Sequence, residues 1–543
     1  MQWHMASLWE TVADAVPDAP AVVDGDVRRN WRDYEDRASR IAGALAAAGH
    51  GPGSKVGVYA HNSNVFLEAY FAALKLRGVP VNVNYRYTEN ELIYLLDNAD
   101  AEALVFDAQF GARVAAIRAR LPLLRTLIEI DDGSGLHLDG ASRFEEAIAT
   151  NDPYPRQVYA EDDLFIIYTG GTTGMPKGVM SLQGDRARAG VTQAFNALGL
   201  PPPTSGAEFT AAIRRVHAAG AATVSLVACP LMHGTGLTGG AHRPHFAGAC
   251  AVTLRGEHFD PDALWRLVER EHVTQIAIVG DAFARPMLAA LESAATAGRP
   301  YDLSSLKAMV SAGVMFSREI KEGLLTFADI TIHDAMAATE GAMATSVVSR
   351  ASPPVETAIF VRNPLTRVFD ENDREIHPGS DSIGMIATGG PGPVGYYKDP
   401  EKTARTFRVI DGRRYAFPGD FAKVAADGSL ILLGRGSNCI NTGGEKVFPE
   451  EVEEALKAHP DVEDCLVVGV PDARFGQRIT AVLSLAKGRE LDEAGLLAFA
   501  RARLAGYKTP RRLIVVDHVR RAASGKADYP WANKVATRRE DRG

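Results

Sequence analysis

Cysteine is scarce in this chain. Four occur among 543 residues, Cys229, Cys250, Cys439 and Cys465, and none is paired as CxxC, so neither a disulfide framework nor a zinc ribbon is suggested. Long apolar runs are missing as well: none reaches the ~18 residues of a membrane-spanning helix. Residues 1–10 lack the basic-then-apolar order of a secretory signal. No long run of like charge appears, and 59 basic against 67 acidic residues leave a net charge of −8. That balance argues against a dedicated nucleic-acid or membrane-surface protein. The tail sets Arg538, Arg539 and Arg542 beside Glu540 and Asp541 and reads as solvated. The cytoplasm is the expected location.

What is present is the profile of a soluble globular protein, 46% hydrophobic and 23% charged, too long for one ordinary core. Through the first 430 residues strand-like and helix-like segments alternate. Lys55–Ala60 reads as a buried strand, Asn64–Arg77 as a helix, Pro80–Asn84 and Ala103–Asp107 as strands. Asp260 is a good N-cap before Pro261, and Thr274–Gly280 is a strand. Leu200–Gly206 (LPPPTSG) reads as a loop. This alternation implies a layered α/β architecture with largely parallel sheets. After Gly434 the pattern changes: helix Pro449–Ala458, strands Val462–Val470 and Arg478–Leu485, helix Leu491–Leu504. The expected organisation is a large N-terminal domain, residues 1–434, and a small α+β domain, residues 435–543.

The strongest local signal is Tyr168-Thr-Gly-Gly-Thr-Thr-Gly-Met-Pro-Lys177-Gly178, which follows the apolar run Leu164–Ile167. Glycines let backbone N–H groups approach phosphate oxygens, hydroxyls donate, and a lysine supplies charge. It is not a P-loop: Met175 and Pro176 separate Gly174 from Lys177, and Gly178 stands where Ser or Thr belongs. Gly390, Gly392 and Gly395 satisfy GxGxxG, but Pro391 and Pro393 lie inside, and Tyr396–Pro400 is read as opening no helix. A dinucleotide fingerprint needs that helix, so a turn is expected here.

The segment 168–178 resembles the phosphate-binding signature of the adenylate-forming superfamily: acyl-CoA synthetases, peptide-synthetase adenylation domains and luciferases. Further matches fall in the superfamily's order and span nearly the whole chain. The resemblance implies that Thr169, Gly170, Gly171, Thr172, Thr173, Gly174 and Lys177 surround the phosphates. It sets Ala312, Gly313 and Val314, with Asp334, Ala335 and Met336, on the adenine side. Thr339 would meet the α-phosphate, and Glu340 would help hold Mg²⁺. Asp420 would accept the ribose hydroxyls and Arg435 would contact the ribose. Lys526, in Ser524-Gly525-Lys526, looks like the catalytic lysine. His233 in Pro230-Leu-Met-His-Gly234 borders the acyl pocket, whose wall is expected from Met232, Gly236, Gly240, Met315 and Ala337. Gly443 and Gly444 would approach coenzyme A, and Ser437 would be the hinge of a C-terminal domain that rotates between two half-reactions. Singly, most of these residues are ordinary; the ordered series carries the reading.

The resemblance thus implies an ATP-dependent, AMP-forming acid–thiol ligase with ATP, Mg²⁺ and coenzyme A. Carboxylate attack on the α-phosphorus brings two anions together, so Lys177, Lys526 and Mg²⁺ must neutralise charge. Three positions depart from the pattern. Met336-Ala337 stands for the usual Tyr-Gly, so a thioether replaces the ring expected to stack on adenine. Ser437 replaces Asp or Lys, and Arg520 replaces a proline. His233–Gly240 (HGTGLTGG) carries no acid to hold an ammonium, so amino acids are disfavoured. Its four glycines fit a roomy apolar pocket; they equally fit turns, with the methionines packing the core. Val79–Arg86 and Ser311–Ser317 most resemble bacterial ligases for fatty acids and steroid side chains, and the resemblance implies a fatty, steroid side-chain or arylalkanoic acid. An acid–AMP ligase loading a carrier protein, an adenylate-dependent oxygenase and a non-catalytic adenylate binder are the alternatives. Partners are small molecules, with no nucleic acid and no membrane span, and a homodimer is left open.

Overall fold

A computed structural model describes residues 1–171, 174–256, 258–353, 359–442, 445–472, 475–522 and 525–538. Side chains at 170, 171, 174, 437 and 446 are likewise outside the description. Among the described residues no helix is long and apolar enough to cross a membrane.

Two sheets carry the expected α/β alternation. In the first, Lys55–Tyr59, Val79–Asn82, Ala101–Asp107 and Thr126–Ile130 pair in parallel. The helix Asn64–Lys75 is buried along nearly its whole length, capped by Ser63 accepting from the Phe66 N–H at 3.2 Å. The second, a 15-stranded sheet, starts in the same manner. Pro20–Asp24, Cys250–Thr253, Val224–Val227, Gln275–Ile278, Ala308–Ala312 and Thr331–Ala338 all run parallel. These buried strands read as near-continuous apolar runs, as two-sided burial requires.

At Thr339-Glu340 the chain reverses. Gly341–Val348 returns antiparallel to Thr331–Ala338, and the strands that follow, up to Leu430–Arg435, pair antiparallel. The expectation of largely parallel sheets is therefore corrected for residues 341–435. One tight hairpin marks the change: Asp411 (φ 49°) and Gly412 (φ 73°) join Phe407–Ile410 to Arg413–Ala416, the positive-φ pair a two-residue turn demands. A second correction concerns the GxGxxG segment. A seven-residue helix, Pro400–Thr406, does follow it, capped by the Asp399 carboxylate accepting from the Lys402 N–H at 2.9 Å. It begins five residues after Gly395, and Gly395–Tyr396 is instead an antiparallel strand.

From Ile440 a separate core forms. Strands Ile440–Thr442, Glu445–Val447, Val462–Asp472, Gly476–Leu485 and Arg512–Val515 make a five-stranded sheet. The helices Pro449–Lys457 and Glu493–Arg501 cover one of its cores, which includes Val452, Leu456, Cys465, Ile479 and Leu496. The helix Tyr529–Arg538 covers another.

One helix is unusual. Thr235–His242 is a π-helix, a rare form that tends to occur at functional sites, and it carries the glycines after His233. A Cβ on Gly236 would lie 2.4 Å from the Pro230 carbonyl oxygen; one on Gly240 would lie 3.0 Å from Val227. On Gly234 or Gly239 a Cβ would meet nothing within 4 Å. The expectation that Gly236 and Gly240 open the acyl pocket is thus corrected: they let the helix press against neighbouring backbone and strands, and the open positions are Gly234 and Gly239. Accordingly, Gly236→Ala is expected to lower stability by about 1–3 kcal/mol through overpacking. Gly239→Ala should be neutral or mildly stabilising. Urea unfolding of the two variants checks this.

Candidate active site

The phosphate-type signature is a hairpin. Leu164–Gly171 and Gly174–Leu182 pair with Tyr168 opposite Gly178 and Thr169 opposite Lys177, so strand continues well into the glycine-rich segment. Its tip, Thr172-Thr173, lies outside the described residues. Asn82 anchors the hairpin base: its side-chain oxygen accepts from the Tyr168 N–H at 2.9 Å. Its amide donates to the Tyr168 carbonyl at 2.9 Å and to the Met232 carbonyl at 2.6 Å. One side chain thereby ties the hairpin to the segment that carries His233. Met232 itself is buried.

Across from the hairpin lies the turn Thr339-Glu340. Lys177 Nζ sits 3.0 Å from Glu340 Oε1 and 3.1 Å from the Tyr396 hydroxyl, which itself donates to Glu340 Oε1 at 2.5 Å. Lys177 and Lys402 both lie over the Tyr396 ring, 4.5 and 5.5 Å from its centroid. Burial pushes the Glu340 carboxyl up, but the Lys177 charge and the hydrogen bonds from Tyr396 and Lys177 hold it below its ordinary value. Thr339 is half-buried beside it.

Asp420 and Arg435 face each other in register on adjacent strands, Arg435 Nε 3.2 Å from Asp420 Oδ1. Asp420 Oδ2 is buried without a partner, an oxygen left to accept. At Gly434 (φ 128°) a Cβ would fall 2.2 Å from Glu450 Oε2, so only glycine lets the helix Pro449–Lys457 close on this strand. Lys526 arrives from the C-terminal unit. Its turn is fixed by the Ala522 N–H donating to the Lys526 carbonyl at 2.8 Å, and Gly525 (φ 73°) is pressed against Ala282. The Lys526 side chain is exposed. Burial and then the Arg435 charge lower its pKa, while Glu340 and Asp420 pull the other way. Lys526 and Arg86 also act on His233. Burial first, then those charges, lower its imidazole to about 3, and Nε2 has no partner. His233 is therefore a neutral ring facing cations.

Other expected residues lie around this centre. Ala312 ends a strand in register with Ala335, and Gly313 (φ 102°) turns the chain beyond it. Val314 and Met315 line a cavity of about 360 Å³, together with Arg86, Arg285, Arg521 and Gly525, between the large and C-terminal units. Ala337 is half-buried at a bulge in the strand pair. Two expectations are corrected. The Asp334 side chain is committed to Lys321, 2.7 Å away, and burial raises it to about 6; a carboxylate so enclosed is not open to a nucleotide. Met336, 7% exposed, packs into the antiparallel core with Met343, Phe360 and Val368 and presents no open face for stacking. Ser437 lies in the short 3₁₀ turn Gly436–Asn438, with its side chain outside the description, and Gly443, Gly444 and Ser524 are outside it altogether. Arg520 pairs with Asp528 at 3.2 Å on the surface. Sequence reasoning missed Tyr396, Asn82 and Lys402; Tyr396 lay in the stretch read only as a turn.

A site built to accept an adenine nucleotide fits this geometry, and comparisons with known proteins agree. Residues 9–397 match the family model described as AMP-binding enzyme, and 451–526 match that of the AMP-binding enzyme C-terminal domain. The chain belongs to the AMP-binding enzyme family. Within that family it is a full-length relative of CoA ligases. It is 39% identical over 541 residues to a 3-oxocholest-4-en-26-oate–CoA ligase of Rhodococcus rhodochrous, covering 98% of this chain and 96% of that one. It is 41% identical over 545 residues to a medium/long-chain-fatty-acid–CoA/3-oxocholest-4-en-26-oate–CoA ligase of Mycobacterium marinum, covering 98% and 96%. The crystal structure of the anthranilate CoA ligase AuaEII in complex with anthranoyl-AMP shares the fold, with a TM-score of 0.83, 22% identity and 98% of each chain covered.

If the free Asp420 Oδ2 receives a ligand hydroxyl, Asp420→Ala is expected to weaken ATP binding by about 1.5–3 kcal/mol, the range of a hydrogen bond to a charged group. Titration calorimetry with ATP is the measurement. An unchanged affinity would mean that Asp420 serves only to pair Arg435.

Proposed function

We propose that this chain activates a hydrophobic carboxylic acid with ATP and transfers the acyl group to coenzyme A, releasing AMP and pyrophosphate. The observation that carries the reading is the convergence of Lys177, Glu340, Asp420, Arg435 and Lys526, from five separated segments, around one cleft. In the first step a carboxylate oxygen of the acid attacks the α-phosphorus and the bond to pyrophosphate breaks. Lys177 and Lys526 offset the charge of two anions meeting; each preorganised donor of this kind typically contributes about 3–4 kcal/mol. His233, neutral, borders the acid without adding a charge of its own. Asp420 and Arg435 hold the ribose. In the second step the thiol sulfur attacks the acyl carbon and AMP leaves.

Mg²⁺ fits the donor set: an ion bound through one carboxylate, with phosphate and water completing its shell, requires no protein cage. Among the described residues no cluster of three or more His, Cys, Asp or Glu forms one. Glu340 would hold it, and it would supply further neutralisation of phosphate charge.

The division at 434/435, the hinge at Ser437 and the approach of Gly443-Gly444 to coenzyme A belong to this proposal, with the C-terminal unit turning between the two steps. A medium- or long-chain fatty acid or a steroid side-chain acid is the proposed substrate class, supported by the names of the relatives and by the open positions Gly234 and Gly239. The reaction is assigned to the cytoplasm, where ATP and coenzyme A are available. ATP–pyrophosphate exchange across a panel of carboxylic acids, followed by thioester formation, tests the whole. Turnover without coenzyme A dependence would favour loading of a carrier protein.

Two outcomes are expected for Lys526. Lys526→Ala should lose most adenylation yet keep much of the thioester formation from supplied acyl-adenylate; equal loss in both steps would remove Lys526 from the first. The second outcome follows from its lowered pKa. A depressed ammonium loses its proton below the ordinary lysine value of about 10.4. The kcat/KM for ATP, which reports the free enzyme, should therefore fall on the alkaline side before that pH. Lys526→Arg should move the fall upward, and an alkaline limb identical in both proteins would assign it to another group.

A further inference from the structure

Two glycines of the GxGxxG pattern, Gly390 and Gly392, lie in a run, 389–393, that walls a cavity of about 420 Å³. The turn 340–342, Asn363, Thr388 and Arg414 line it as well. Asn363 and Thr388 both donate to the Ala342 carbonyl, at 2.9 and 3.2 Å, so they fix the turn and leave that part of the wall neutral. The charged lining residues are Glu340 and Arg414. Lys177 and Tyr396 already meet the charge of Glu340. Arg414 has no such match. Its guanidinium donates to the Pro393 and Val394 carbonyls at 2.8 and 3.2 Å and lies 4.4 Å from the centroid of the Phe407 ring. Among the described residues no carboxylate pairs with it.

The cavity leads from the node to solvent: Glu340 is buried, whereas Arg414 and Gly390 are exposed. Its lining residues all lie between positions 193 and 416. The C-terminal unit meets the large one at other residues, Gly525 against Ala282 and Glu450 against Gly434. The walls therefore do not depend on where that unit stands. The volume is many times the ~30 Å³ that one water takes up in the liquid, which is room for a small polyanion with waters around it. A neutral wall with one cation at the mouth attracts an anion without trapping it.

We propose that this cavity is the way out for pyrophosphate, with Arg414 as a subsite for the diphosphate anion at its mouth. The inference rests on the acid-activating reading above and adds the route of its first product. When the bond from the α-phosphorus to the pyrophosphate oxygen breaks beside Lys177, the diphosphate is set free at the inner end of the cavity. The hydrogen bonds from Lys177 and Tyr396 offset the carboxylate it passes there. Because the C-terminal unit forms none of the wall, the anion leaves while that unit is still docked, and the turn of the unit follows release.

The test separates chemistry from release in a single turnover without coenzyme A. Quenched samples give the acyl-adenylate, and a coupled pyrophosphate sensor gives the free product. A Cβ at Gly392 would meet nothing within 4 Å, so Gly392→Trp puts a ring into the open space. Its lag between adenylate and free pyrophosphate is expected to be about tenfold longer than that of the wild type, within the range of an overfilled site. Arg414→Met should raise the KM for inorganic pyrophosphate in ATP–pyrophosphate exchange about tenfold, as loss of a hydrogen bond to a charged group does. That rise should exceed any in the KM for ATP, and Arg414→Lys should show less of it. A wild-type lag in folded Gly392→Trp overturns the route. So does an Arg414→Met protein whose KM for pyrophosphate is unchanged or rises only as that for ATP does, and this arm, on an exposed residue, stands even if Gly392→Trp fails to fold. No pyrophosphate from ATP with any carboxylic acid would fell the acid-activating reading itself, and the route with it.

Discussion

Tyr396 and Lys177 both reach one oxygen of Glu340, and the cleft is assembled around it. The three groups come from different places: a hairpin strand, the turn where the large sheet reverses, and a two-residue strand laid against the hairpin. Each needs the others. Glu340 is nearly enclosed, and a carboxylate there would take up a proton without a cation beside it. Lys177 and Lys402, which share the Tyr396 ring, would repel each other without the carboxylate between them. Removing one partner of such a buried pair typically costs about 3–5 kcal/mol, because the remaining charge is stranded. The same contacts therefore join the sheets and set the site.

Beyond that node the cleft has more positive than negative charge. Arg435, Lys526, Arg86 and Lys177 gather against Glu340 and Asp420. Burial first, and these charges second, make Lys526 bind its proton less tightly than a free lysine does and drive His233 to the neutral form. A surface of this kind attracts polyanions, and an arriving anion relieves the strain that the cations impose on one another. Asp334 and Lys321, by contrast, are sealed against each other outside this balance.

Much of this was legible in the sequence because it is written in short-range signals. The helix after Asp260 follows from a cap and a proline. The parallel strands follow from apolar runs, and the C-terminal unit from a change of period. The ordered motifs located Lys177, Glu340, Asp420, Arg435 and Lys526, which the fold brings together. What escaped depends on which way a side chain points. Met336 and Asp334 fall on strand positions that face a core and a buried lysine, and alternation alone does not say which side holds a ligand. Gly236 and Gly239 are three residues apart in one glycine-rich run, yet one touches backbone and the other open space, because a π-helix repeats differently from an α-helix. Tyr396 was overlooked since its partner lies 219 positions away in the chain. The antiparallel region did leave a trace, the Asp411-Gly412 hairpin turn.

The seating of Gly525 against Ala282 carries a different kind of consequence. That contact is a steric fit between small groups, indifferent to ionic strength, whereas the charge on Lys526 acts on its surroundings electrostatically and is screened by salt. Delivery of the lysine and its effect once delivered therefore answer to separate variables. Added salt would weaken the charge around the cleft while leaving the docked turn in place, and a bulkier side chain at 282 would unseat the turn while leaving the charges as they are.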